Sequence, residues 1–430
     1  MPKTDWSLFC IAAALFMFFS DGLDSLAQPI RERERGYDFN DPPDTRFQIA
    51  PYLSFGAQLE FEALYERNLD LDNENDEDLF TLEPGIVVAL SFDPSDHFQA
   101  FTSVKFGGDF EFEDGMTLKD DAVLEVEEMY IFFKELLDDT FSLQVGRQQF
   151  EDERKWLYDA ELDAARAYMG RGGFLAQLSY SRGGLIFDMD LLNKEVDDKV
   201  NNYTGYFSYH FNEDTNVAAY VIYRDDTGPD NDSPLYFGIH SDGEATESLD
   251  YWVELAYVAG NDGSQDISGV GFDFGGAHAF EVAREPSIPL GYAFGSSEFR
   301  QTDLQSNEAD FNGVVDFSYY GELFDPNLAN LSIVTADAGI NPAEEFSIDI
   351  VYHYYSQIKA SEEFFDVNID ADPDGVHKSV GSEIDLVLGY EQESENLAVE
   401  FSLGYFMPGS AFGPEAENAF SSNIVLEYEF

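Results

Sequence analysis

Between positions 146 and 168 the sequence reads GRQQFEDERKWLYDAELDAARAY. Arg147, Arg154, Lys155 and Arg166 stand there among Glu151, Asp152, Glu153, Asp159, Glu161 and Asp163. A guanidinium is a planar fork that grips a carboxylate through two hydrogen bonds, so clustered arginines suit recognition of an anion. The same pattern suits a structural ion network or a solvated helix face over Glu151 to Ala167. What makes the cluster unusual is its background. The 430 residues hold only 22 Lys and Arg against 86 Asp and Glu, a net charge of −64.

That charge argues against nucleic acid as a partner, because phosphate binding requires a basic footprint. Catalysis finds little support either. Pairs such as Glu151 and Asp152, or Asp188 and Asp190, could exchange protons, yet chance supplies such pairs in so acidic a chain. No GxSxG or HExxH occurs, and the six histidines lie far apart in sequence. DLDNEN (Asp70 to Asn75) lacks the sixth-position glycine of a calcium loop, and DPDG (Asp372 to Gly375) offers only two acids. No enzyme activity, cofactor or defined metal site is therefore expected.

The elements that position these residues begin after an export signal. Lys3 precedes the apolar run LFCIAAALFMFF, and Ser25-Leu26-Ala27 puts small residues at −3 and −1 of a cleavage site. The run is shorter than the roughly 20 residues that a membrane span needs. Residues 1–27 thus read as a signal peptide, 28–46 as a periplasmic segment and 47–430 as the main domain. Cleavage would remove Cys10, the only cysteine.

From residue 47 onward the hydrophobic period is two. Leu53, Phe55, Ala57, Leu59, Phe61, Ala63 and Tyr65 alternate with Ser54, Gly56, Gln58, Glu60 and Glu62. Similar alternation returns along the chain in segments of about 10 residues, the length of a tilted strand crossing an outer membrane. Short turns such as DPSD and NEDT alternate with long acidic connections such as ERNLDLDNENDED. The C-terminal NIVLEYEF ends on an aromatic with Ile424, Leu426, Tyr428 and Phe430 on one face, similar to the signal read by the outer-membrane assembly machinery. The expected fold is a transmembrane antiparallel β-barrel in a bacterial outer membrane. It should have about 18 strands (16 as the fallback), short periplasmic turns and long acidic extracellular loops. A literal count gives about 19 segments, the conflict falling between Ala160 and Leu192, where sidedness allows two strands.

Four segments carry a family resemblance: GRQQFEDERKWLYD with LDAARA, FRQTDLQSNEADFNG, YYGELFDPNLANL and GYFMPGSAFG. In this order they resemble the alginate export family of outer-membrane porins. The resemblance implies a monomeric 18-stranded barrel, narrowed by loops, with an arginine-rich path for an anionic polysaccharide. The candidate lining residues are Arg147, Arg154, Arg166, Arg171, Arg182 and Arg300, with Lys105. Arg147 and Arg166, however, continue the parity of the lipid face.

The same alternation gives the lumen Glu60, Glu62, Asp188, Asp190, Glu254, Asp349, Asp385, Glu400, Glu427 and Glu429. An acidic wall repels a polyuronate over roughly a Debye length of 8–10 Å. Two functions therefore stand at this level: a channel for a charged or carbohydrate solute such as alginate, or a general or cation-preferring porin. The expected surroundings are outer-membrane lipid and lipopolysaccharide, with weak divalent bridging at the outer loops.

Overall fold

The computed structural model describes residues 41–72, 78–113, 115–183, 200–212, 215–228, 232–246, 248–263, 265–392 and 396–430. The expected signal peptide and the candidates Asp188 and Asp190 lie outside these residues. β1 (Phe47–Ala50), β2 (Leu53–Arg67), β3 (Asp78–Ser95), β4 (Phe98–Glu113) and β5 (Met116–Glu135) lead to one helical turn, α1 (Leu136–Asp139). Next come β6 (Phe141–Glu151), β7 (Asp159–Arg171), β8 (Phe174–Arg182), β9 (Val200–His210), β10 (Thr215–Asp226) and β11 (Leu235–Thr246). β12 (Leu249–Asp262), β13 (Gln265–Ala279) and β14 (Ser287–Gly295) precede a long loop with the two-residue strands β15 (Glu308–Ala309) and β16 (Phe317–Ser318). β17 (Leu331–Ala343), β18 (Phe346–Gln357), β19 (Ser379–Gln392), β20 (Leu397–Pro408) and β21 (Ala419–Glu429) follow.

Among the described residues nineteen strands join in one sheet. β1 covers only the first residues of β2, pairing Phe47 with Phe55, so eighteen strands form the ring. Each pairs antiparallel with its neighbours, and β21 closes on β2 from Gln58↔Glu429 to Arg67↔Phe420. Closure satisfies every edge, which a sheet in hydrocarbon requires. The strand-count conflict resolves as the sidedness required: β7 and β8 are the two strands, and β8 stops at Arg182.

Alternation explains the two faces. In β12, Trp252, Glu254, Ala256 and Val258 are buried, whereas Val253, Leu255 and Tyr257 are exposed. In β18, Asp349, Val351, His353 and Tyr355 are buried while Ile350, Tyr352 and Tyr354 face outward. Apolar and aromatic side chains thus form the lipid-facing surface, and polar ones point inward. Tyr428 and Phe430 stand on the outer face of the closing strand.

Candidate functional site: a barrel filled from within

An 18-stranded barrel leaves an aqueous channel unless something fills it. Here two outer loops fold inward. The long loop 296–330 leaves β14 at the extracellular end, and its Val314 N–H donates to Ser347 Oγ (3.2 Å), at the periplasmic start of β18. Nearby, Asn341 Nδ2 donates to the Asn312 carbonyl (3.0 Å). The segment then returns to the outer rim at Asn330, having traversed the lumen twice. Phe299, Phe311, Val315, Tyr319, Tyr320, Leu323, Phe324 and Leu328 are all buried along it. The shorter loop 152–158 meets it from β6.

Polar bonds fix the long loop to the wall and to its neighbour. Glu383 of β19 accepts from the backbone N–H of Leu323 (2.7 Å) and of Phe324 (3.0 Å). Asp273 of β13 accepts from Trp252 Nε1 (3.0 Å) and from the Tyr320 hydroxyl (3.1 Å). That hydroxyl in turn accepts from Trp156 Nε1 (3.0 Å). Glycines on the inner face let the backbones approach. A Cβ at Gly269 would collide with the Phe299 backbone, and one at Gly404 would lie 2.8 Å from Leu323 Cβ. Glycine inside a strand otherwise weakens it, so these positions mark where a second layer docks.

The basic residues of loop 152–158 are buried in this contact. Arg154 is 6% exposed, its guanidinium 4.4 Å from the Trp252 ring centre and 4.2 Å from that of Tyr319, with Asp273 at 3.8 Å. Stacking between aromatic faces stabilises a desolvated cation by about 2 kcal/mol. Lys155 sits between the loops, with Glu308 at 2.8 Å, Asp316 at 3.7 Å and Asp159 at 3.9 Å. Asp152 caps its own loop by accepting from the N–H of Leu157 (2.8 Å) and Tyr158 (2.9 Å); burial raises its pKa, and nearby His240 and these bonds oppose the rise.

The other predicted residues are more scattered. Arg166 is buried, its Nε donating to Gln177 (3.0 Å) and its guanidinium lying 4.5 Å from the Phe150 ring centre. The row that parity matched to the lipid face, Leu162, Ala164 and Arg166, is buried in β7. Arg147 is 2% exposed, beside Asp163 at 3.8 Å, and not on a lipid-exposed surface. Its alternation slips at Gly146, where φ is +132° and a Cβ would collide with the Met129 carbonyl. Arg171 is exposed at the end of β7, and Arg182 closes β8 half-buried. Arg300 lies at the outer mouth, 3.3 Å from the Phe365 ring centre and 3.3 Å from Asp262, and burial lowers its pKa despite that carboxylate. It lines a cavity of about 240 Å³ with Tyr236, Asp303 and Asp366.

The acids divide between two walls. Glu254, Asp349, Asp385 and Glu400 are buried, facing the infolded loops and not open water. Glu60 and Glu62 belong to the wall of β2 to β5, where Lys105 pairs with Glu60 at 2.7 Å and Asn423 donates to Glu62 at 2.8 Å. Glu427 is also buried, and Glu429 binds Arg46 at 2.6 Å. Sequence reasoning missed Glu383 and Asp273, wall residues that receive the loop. The inward glycines, at alternate positions of polar strands, were the signal that could have located them.

Four quoted segments therefore converge: residues 146–167, 299–313, 319–331 and 404–413 meet inside the barrel. Comparisons with known proteins agree with this architecture. Among solved structures, Pseudomonas aeruginosa OpdQ aligns with a TM-score of 0.57 at 8% identity, covering 88% of this chain and 98% of that one. P. aeruginosa OccK8 (OprE) aligns at 0.56 and 12%, covering 89% and 99%. These share the fold of an outer-membrane barrel. The alginate production protein AlgE of P. aeruginosa is 24% identical over 341 residues, covering 64% of this chain and 68% of its own length. AlgE of Pseudomonas syringae pv. tomato is 22% identical over 338 residues, covering 63% and 68%. The signature described as alginate export matches residues 51–425, the whole ring from β2 into β21, and the chain belongs to that family of bacterial outer-membrane channels.

Proposed function

We infer that this channel carries an anionic polysaccharide of the alginate class across the outer membrane. It works as a monomer without catalysing a reaction, and the closing strand with Phe430 is its recognition signal for the assembly machinery. The observation that carries the reading is the convergence of the four family segments on one internal plug, with Arg154 and Lys155 at its centre. In the docked arrangement loop 296–330 crosses the lumen, so passage of a polymer requires that loop to shift. Movement would bring the loop cations toward the channel, where charged rings select for ions of opposite sign.

A general or cation-preferring porin is the second reading, and a specific observation favours it. Glu60 and Glu62 are only partly buried, and the ammonium of Lys105 is already paired with Glu60. Planar-bilayer recordings separate the two. An oligomer of β-1,4-linked uronic acid should produce discrete current blocks that a neutral dextran of equal length does not. Equal behaviour of both polymers, together with a cation-selective reversal potential that survives Glu60→Gln and Glu62→Gln, would sink the polyuronate reading.

A further inference from the structure

His240 on β11 is buried with both ring nitrogens directed at carboxylates. Nδ1 faces Glu254 of β12, and Nε2 lies 2.5 Å from Asp242 Oδ1. A neutral imidazole has one N–H and one lone pair, so it can donate to only one of these two acids. If Nδ1–H binds Glu254, the Nε2 lone pair and the Asp242 oxygen are two acceptors facing each other. A proton, carried by the ring or by the carboxyl, or a metal ion must then lie between them. At 2.5 Å the two atoms are at hydrogen-bond distance, and a metal ion would hold them apart at about 3.3 Å.

The surroundings resemble a ligand set more than a simple ion pair. Glu153, at the tip of loop 152–158, places a carboxylate oxygen among them, and one ligand atom each from Glu153, His240 and Asp242 lies within 4.8 Å of the others. Asn216 of β10 bridges the two acids, its Nδ2 donating to Asp242 (2.7 Å) and Glu153 (3.2 Å). Its Oδ1 is buried without a hydrogen-bond partner among the described residues. The two amide ends are exchangeable by rotation, so this oxygen can turn toward the same point. A histidine whose far nitrogen donates to a carboxylate is the usual support for a metal-bound imidazole, because that bond fixes the ring and its tautomer.

We propose that Glu153, His240 and Asp242 form a site for a divalent transition metal of the Zn²⁺ type. Glu254 orients the imidazole, and the ion ties the tip of loop 152–158 to the barrel wall. One imidazole with two carboxylates suits Zn²⁺ at about 2.0–2.2 Å per ligand, whereas Ca²⁺ prefers six to eight oxygens. The bound ion would hold the inward loop in place, since Glu153 belongs to the loop and its two partners to β11.

The test is calorimetric titration of the full refolded chain with Zn²⁺, in a millimolar Ca²⁺ background that occupies the many oxygen-only surface sites. The expected result is one saturable equivalent, weakened at least tenfold in His240→Gln, Asp242→Asn and Glu153→Gln alike. Heat-modifiable gel migration confirms that each variant has closed its barrel. Absence of a saturable equivalent in the wild type overturns the site and leaves His240 as a buried imidazolium. Undiminished binding in His240→Gln, or in Glu153→Gln alone, overturns it as well.

Discussion

Glu383 receives the backbone of loop 296–330: its two carboxyl oxygens accept the N–H groups of Leu323 and Phe324 at 2.7 and 3.0 Å. Beside it the Tyr355 hydroxyl lies 2.7 Å from the Tyr320 carbonyl and 3.1 Å from Glu383. One side chain of the wall thus holds main-chain atoms of the plug, a contact insensitive to which side chains the plug carries. Glu383→Gln leaves one of the two N–H groups facing an NH₂ donor. Leaving that buried N–H without its acceptor costs about 1–3 kcal/mol. Bilayer recordings should show a larger mean conductance, and limited proteolysis should cut faster between residues 318 and 326.

Steric exclusion should act without touching any polar bond. At Gly269 a side chain would occupy the place of the Phe299 backbone. Valine is favourable in a strand, so Gly269→Val should still close the barrel but shed the upper part of the plug. Wild-type heat-modifiable migration with raised conductance is the expected pair of results. Unchanged conductance would show that the plug accommodates the side chain.

Arg154 lies between the rings of Trp252 and Tyr319, and Trp156 stacks on Phe299 at 6.2 Å. A chain expressed from Gln28 keeps only Trp156 and Trp252 of the three tryptophans, so its fluorescence reports this latch. Arg154→Ala removes a cation–π contact of about 2 kcal/mol from a desolvated site. The emission should shift red and quench more readily with acrylamide, while Arg171→Ala should leave both unchanged.

Docking of the plug should depend on pH. Burial raises the pKa of Glu322 to about 7, with Glu383 and Glu308 adding to it, while hydrogen bonds from Ser402 and the Ser318 N–H oppose the shift. Asp325 moves in the same direction, burial first and then Glu308, Glu322 and Glu383. A carboxyl whose docked pKa exceeds its free value of 4.5 binds its proton more tightly when docked. Its contribution to docking is therefore fully present below pH 4.5 and lost as pH rises through about 7. Mean conductance should climb between pH 5 and 8, and Glu322→Gln should flatten that profile.

Much of this was legible in the residues. Period-two alternation, the lengths of the connections and the aromatic end of β21 contain the barrel, its sidedness and its eighteen strands, because a closed sheet in lipid must present apolar side chains outward at every second position. The site was legible only in part. The stretch 146–168 does bury its cations, but strand parity alone put Arg147 and Arg166 in register with the lipid face, against their place among the lining candidates. Strand parity carries no information once a residue such as Gly146 breaks the pleat.

What the chain alone determined is local: which residues alternate, where turns interrupt them, and that acids outnumber bases almost everywhere. The tertiary structure decided which acids face water. Glu60 stays on the wall of β2 to β5, while Glu254 and Glu400 are covered. It also decided that Arg154 packs against Trp252, a residue 98 positions away, and that Lys155 meets Glu308. Such partners are joined only when the ring closes and loop 296–330 enters it, so no periodicity within either segment could announce them.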